Sequence, residues 1–187
     1  MSTTTARLTT AEYHDLIDGG DALGPHDFLW AGEIISAMPE NPPHISTRTY
    51  LFFLLLEHYP RADWTILQDA PLELRDGYEP EPDVMVLKGP QPTYDHRRPR
   101  PADVELVVEV ASTTLAFDVG TKLRGYAEAA IPHYWIADVQ GRAILAFRDP
   151  DPATGTYREA RTYVAGASVP LGAGAIAVND VLGHLLP

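Results

Sequence analysis

The chain has 187 residues, no cysteine, and 14 Lys plus Arg against 26 Asp plus Glu, a net charge of −12. Disulfide frameworks, thiol catalysis and Cys-based zinc sites are excluded, and the longest apolar run, 50–56, is far short of the roughly 20 residues that span a bilayer. The opening MSTTTARLTT lacks the basic and apolar regions of a signal peptide. A soluble, cytoplasmic protein built as one domain over 1–187 is expected. The acidic balance argues against coating nucleic acid through net charge, though not against an enzyme that touches it locally.

Thr9 with Glu12 reads as a capping box opening a helix to about Ile17, ended by Gly19-Gly20. Two short strands follow, about 27–30 and 33–38, around Ala31-Gly32. Pro42-Pro43 introduces a Leu- and Phe-rich helix over 44–58. Strands are expected at 63–68, 71–75 and 82–87, with a turn at Asp76-Gly77. Residues 88–102 form a polar, proline-rich loop carrying His96, Arg97, Arg98 and Arg100, which either contacts phosphates or offsets nearby acids. The run 103–111 (DVELVVEVA) is nearly continuous in apolar residues, which suggests a central strand buried on both faces. A helix over 118–130 places Leu123, Tyr126, Ala127 and Ala130 on one stripe. Strands at 133–138, 142–147 and 156–163 precede a short apolar tail from Val169. The sum is an α/β or α+β fold with a mixed sheet. Trp30, Trp64 and Trp135 read as core.

Of the 14 positive residues only Lys88 and Lys122 are lysine. Arg is a fixed charge, whereas Lys is a compact one that shifts its pKa when buried, so a lone Lys is a hint of chemistry. Three residues stand out. Glu109 lies amid Val107, Val108 and Val110, where a carboxylate is costly unless paired or bound to a metal; a solvated edge or an Arg partner would also accommodate it. Asp83 follows Pro82 at the start of an apolar strand, a place where turn aspartates also occur. Lys122 falls early in the helix after strand 103–111, within reach of that strand's end or of solvent. Two carboxylates on neighbouring strands suit a Mg²⁺-type cation, and a nearby Lys suits stabilisation of developing negative charge.

In order along the chain come Ala31-Gly32-Glu33-Ile34-Ile35, His44, Pro82-Asp83-Val84, Val107-Val108-Glu109-Val110-Ala111-Ser112, Asp118 with Lys122 through Tyr126, and Pro132-His133-Tyr134-Trp135-Ile136-Ala137-Asp138. This ordered set resembles the Uma2 family (DUF820) of restriction endonucleases, in the PD-(D/E)XK nuclease superfamily, over roughly residues 8–150. The resemblance implies a restriction-endonuclease-like core, a mixed sheet flanked by helices. It implies metal ligation by Asp83, Glu109 and the backbone carbonyl of Val110, assistance from Glu33, and support from His44 and Asp118. The superfamily's usual Lys position, two residues after the acid, is Ala111 here; in this family the Lys has moved to the following helix, which maps to Lys122. Two departures concern loop shape: Ser112 is followed by Thr113-Thr114 rather than Pro, and Phe28-Leu29-Trp30 replaces an acidic approach to Glu33.

The leading expectation is hydrolysis of DNA with Mg²⁺, or Mn²⁺ in its place, by a homodimer expected from analogy, since two sites cut two strands. A nuclease fold used only for binding or regulation is the alternative that the −12 charge favours. A phosphodiesterase for RNA or small nucleotides is a third.

Overall fold

The computed structural model describes residues 7–20, 23, 24, 26–36, 39–172 and 174–185. Helix α1 (Thr10–Gly19) opens on the expected capping box, with Thr9 and Glu12 satisfying each other's backbone N–H, and closes on Gly20 at φ 77°, a left-handed conformation that glycine adopts without a Cβ clash. Strands β1 (Phe28–Trp30) and β2 (Glu33–Ile35) pair antiparallel across Ala31-Gly32. The second is shorter than expected, and residues 37 and 38 lie outside the described residues.

Helix α2 (Pro42–His58) starts two residues early. Asn41 accepts the His44 N–H at 3.0 Å, and Pro42-Pro43 fill the first turn, where N–H groups have no intrahelical partner anyway. Strands β3 (Trp64–Leu67) and β4 (Val84–Lys88) follow. The strand expected at 71–75 is absent. Leu72 and Leu74 are buried, but their N–H groups bond the carbonyls of Pro80 and Tyr78 around the Asp76-Gly77 turn, outside any extended ladder. The alternation was real, and a local turn satisfied it.

Strand β5 (Val104–Ala111) leads into α3 (Leu115–Phe117), a π-helical turn (Asp118–Lys122) and α4 (Leu123–Glu128). The helical segment therefore begins three residues before Asp118. Strands β6 (His133–Asp138), β7 (Ala143–Asp151) and β8 (Thr156–Val164) complete the sheet. The tail forms a hairpin, β9 (Ser168–Leu171) and β10 (Gly174–Ala177), and α5 (Val178–Leu182).

The six-stranded sheet runs β3-β4-β5-β6-β7-β8, with β5 and β6 parallel and every other pair antiparallel. On one face Leu106, Val108 and Val110 pack with Leu51 and Leu55 of α2 and Val178 and Val181 of α5. On the other Val107 and Ala111 pack with Tyr126, Ala127 and Ile131. Each Val, Leu or Ile among them contributes about 1.5–3 kcal/mol on full burial. The two covered faces explain why β5 reads as an apolar run instead of an alternation. Trp30 and Trp135 are buried and Trp64 packs against the core. Among the described residues no helix is long and apolar enough to cross a membrane.

Candidate active site

β4 and β5 pair with Val84 opposite Val108 and Met85 opposite Val107. One step further in that register, Asp83 comes opposite Glu109. Side chains alternate along a strand, so Asp83 shares the face of Met85 and Leu87, and Glu109 that of Val107 and Ala111; all four apolar residues belong to the α4-side core. Asp83 sits in the bend just before β4, where its Oδ2 accepts the Val110 N–H at 2.6 Å. In a strand the N–H and C=O of one residue point to the same side, so the Val110 carbonyl also points to the side where β4 has ended.

Glu109 is 2% exposed. Its Oε2 lies 2.7 Å from Lys122 Nζ, and its Oε1 accepts a hydrogen bond from Tyr126 Oη at 2.7 Å. A buried carboxylate needs such partners. Lys122 Nζ lies 3.6 Å from Asp118 Oδ1, and Asp118 Oδ2 accepts from the Thr114 hydroxyl at 2.6 Å. Asp118 and Lys122 bracket the π-helical turn, a distortion that recurs at functional sites.

A second set approaches Asp83 from α2. His44 Nε2 lies 3.3 Å from Asp83 Oδ1, and His44 Nδ1 lies 3.5 Å from Glu40 Oε1. Arg48 pairs with Glu40, reaches Asp69 Oδ1 at 2.5 Å, and stands 3.9 Å from Asp83. One ligand atom from each of Glu40, His44 and Asp83 falls within 4.8 Å of the others. Asp83, Glu109, Val110, Lys122, His44 and Glu40 line one cavity of about 200 Å³.

Charge in this cavity is unevenly held. Burial opposes ionisation of Asp83, but His44, Lys122 and the Val110 N–H outweigh it and hold its carboxyl below the usual value. Burial pushes Glu109 up, and Asp83 and Asp118 push the same way against Lys122. Burial also raises Asp118. Burial works against the Lys122 charge, yet Glu109, Asp118 and Asp83 keep its ammonium above the ordinary Lys value. His44 is likewise raised, because Asp83 and Glu40 overcome its burial. Neighbouring carboxyls pushed in opposite directions are a frequent mark of functional sites.

The structure thus brings together Asp83, Glu109, Val110, Lys122, His44 and Asp118. It does not bring Glu33 to them. Ala31 and Gly32, at φ 54° and 76°, make a tight turn, Trp30 packs inward on Tyr126 and Phe117, and Glu33 is left exposed outside the cavity. The acid that this part of the chain does supply is Glu40. It was missed in sequence, as were Arg48, Asp69 and the Tyr126 hydroxyl. The available signal was the spacing Glu40-His44-Arg48, four residues apart, with an Arg inside an apolar helix.

The arginine-rich loop is already paired. Arg97 bonds Asp103 at 2.6 and 2.9 Å, Arg98 lies 3.2 Å from Glu79, and Arg100 reaches Glu73 at 3.2 Å.

This mixed sheet, with its site at the end of β5, is a nuclease fold. The chain is similar over 96% of its length to a protein from Anabaena variabilis whose crystal structure is described as that of a putative nuclease belonging to DUF820; the match covers 99% of that chain, with a TM-score of 0.74 and 14% identity. The Uma2 family, described as putative restriction endonuclease, matches residues 10–176, and the chain belongs to it. No curated protein matches the chain.

Proposed function

We propose that the protein is a Mg²⁺-dependent endonuclease that hydrolyses DNA phosphodiester bonds. The observation that carries this reading is the juxtaposition of Asp83 and Glu109 at one strand end, with Lys122 2.7 Å from Glu109, in an open cavity. The donor set fits a hard divalent cation, which takes carboxylate and carbonyl oxygens. Asp118 Oδ1, which faces Lys122 Nζ at 3.6 Å and has no hydrogen-bond partner among the described residues, is a further buried oxygen beside them.

Asp83, Glu109 and the Val110 carbonyl would hold the ion. Such an ion, when bound, polarises a phosphoryl oxygen and lowers the pKa of water. Lys122 supplies a fixed donor beside Glu109 for charge that develops on phosphate oxygen. Asp118 orients Lys122, and Tyr126 orients Glu109. His44 steers Asp83 from the α2 side, and Glu40 steers His44. Glu33 has no part in this scheme.

Incubation of supercoiled and linear DNA with the protein, with and without Mg²⁺ or Mn²⁺, tests the reading. Metal-dependent cleavage by the wild type and none by Glu109→Ala is expected. Equal cleavage by the two, or none by the wild type with either ion, overturns it.

A second reading, a binding module without cleavage, is favoured by Arg48 and Lys122, which already neutralise the acids around Asp83. Calorimetric titration with Mn²⁺ separates the two: heat that disappears in Asp83→Ala belongs to the nuclease, and no heat at millimolar metal to the module.

A further inference from the structure

We propose that the outer edge of β8 is a homodimer interface, where a second copy of the chain lays its own β8 antiparallel about a two-fold axis through Ala160. The inference holds whether or not the protein cleaves DNA.

β8 ends the sheet and is paired on one side only, to β7. Among the described residues, the one backbone hydrogen bond from β8 outside the ladder is the turn bond from Ala167 N–H to the Val164 carbonyl at its end. The strand is nine residues long and contains no proline. A long open edge of this kind is a template for another strand. The opposite edge of the sheet, β3, is only four residues long and is entered through a turn at Pro60.

The side chains specify which strand fits. Glu159 and Arg161 stand two residues apart on one face and flank Ala160. Arg161 is exposed and makes no hydrogen bond or ion pair among the described residues. Glu159 receives Arg148 through Oε2 alone, at 2.8 and 2.6 Å, so Oε1 remains open. In an antiparallel pairing centred on Ala160, Glu159 of each copy lies directly opposite Arg161 of the other, giving two opposite-charge contacts per dimer. Centring on Glu159 sets carboxylate on carboxylate, and centring on Arg161 sets guanidinium on guanidinium. Of these three registers only the one centred on Ala160 pairs opposite charges, and the small, exposed Ala160 lets the two backbones approach at the axis.

The absence of native cysteine makes a direct test possible. In Ala160→Cys the single thiols of the two copies face each other at the axis. Directly opposed residues have Cα atoms about 4.5–5.5 Å apart, within disulfide reach. Mild oxidation should yield a covalent dimer on a non-reducing gel. In Val164→Cys the two thiols would be about 27 Å apart along the strands, and no cross-link should form. Sedimentation of the unmodified chain should show a dimer that salt weakens, and Arg161→Glu should weaken it about tenfold or more, since two favourable contacts become repulsive. A wild-type monomer throughout the micromolar range, a dimer indifferent to Arg161→Glu, or equal cross-linking at the two positions would overturn the proposal. The last two results would move the contact elsewhere, such as the exposed Ile45, Tyr50 and Phe53 of α2.

Discussion

On the α2 side of Asp83, Glu40 and Asp69 share one guanidinium, Arg48; on the α4 side, Glu109 and Asp118 share one ammonium, Lys122. The first cluster is partly open, with side-chain exposures of 23% and 29% for its two acids, and its cation cannot be deprotonated. The second is almost closed, its acids 3% and 1% exposed, and its cation is of the kind whose pKa responds to surroundings. On the proposed nuclease reading, the difference separates a scaffold side from the side that carries the chemistry. A permanent charge in a partly wet site fixes shape, whereas a compact one among buried carboxyls of raised pKa is, on the nuclease reading proposed above, where a metal and a phosphate would rearrange the charge.

Cleavage activity tests this contrast with the largest expected effect. Glu109→Gln should lower metal-dependent cleavage by about 10³-fold, while Glu40→Gln, which acts through His44, should lower it by only about tenfold. Comparable losses from both in a plasmid-nicking assay would erase the distinction.

Stability comes next. Lys122→Ala leaves Glu109 and Asp118 buried without a cation and should cost about 3 kcal/mol in urea unfolding. Arg48→Ala leaves acids that water reaches, so about 1 kcal/mol is expected. An Arg48 effect equal to that of Lys122 would show the α2 cluster to be as dry as the α4 one.

Glu109 has a folded-state pKa raised from 4.5 to about 8. A raised pKa means that the folded state holds the proton more tightly, so its contribution is complete below about pH 4.5 and fades as pH rises through about 8. The urea midpoint of the metal-free protein should therefore fall across that window, and Glu109→Gln should flatten the fall. Tyr126→Phe, which removes one hydrogen bond to Glu109 and leaves the α2 cluster untouched, should cost about 1 kcal/mol, no more than Arg48→Ala; thermal melts read it.

Much of this arrangement was legible in the sequence. The apolar run of β5 marked a strand covered on both faces, and the carboxylate inside it marked a group needing partners. The rarity of lysine pointed to Lys122, which the structure pairs with Glu109. What stayed hidden depended on tertiary packing. Tyr126 looked like one more apolar residue of a helical stripe, because a pattern shows the ring's burial but not where its hydroxyl lands. The 71–75 segment looked like a strand because burial alternates there, although its hydrogen bonds close within a turn. Glu33 directly follows a turn whose direction no local signal fixes. The π-helical turn has no recognisable pattern either, yet it sets where Asp118 and Lys122 stand.

That turn lies on the only connection in the sheet that joins parallel neighbours, β5 to β6. Such a crossover has to leave one end of the sheet and return to the other, so β5 and β6 cannot zip together like a hairpin; the helical segment must dock first or with them. Lys122 rides on that segment, and Glu109 waits on the strand it leaves. Pairing of Lys122 with Glu109 thus requires the crossover segment to be docked on the strand it leaves, and a chain in which that docking is incomplete lacks the assembled cluster.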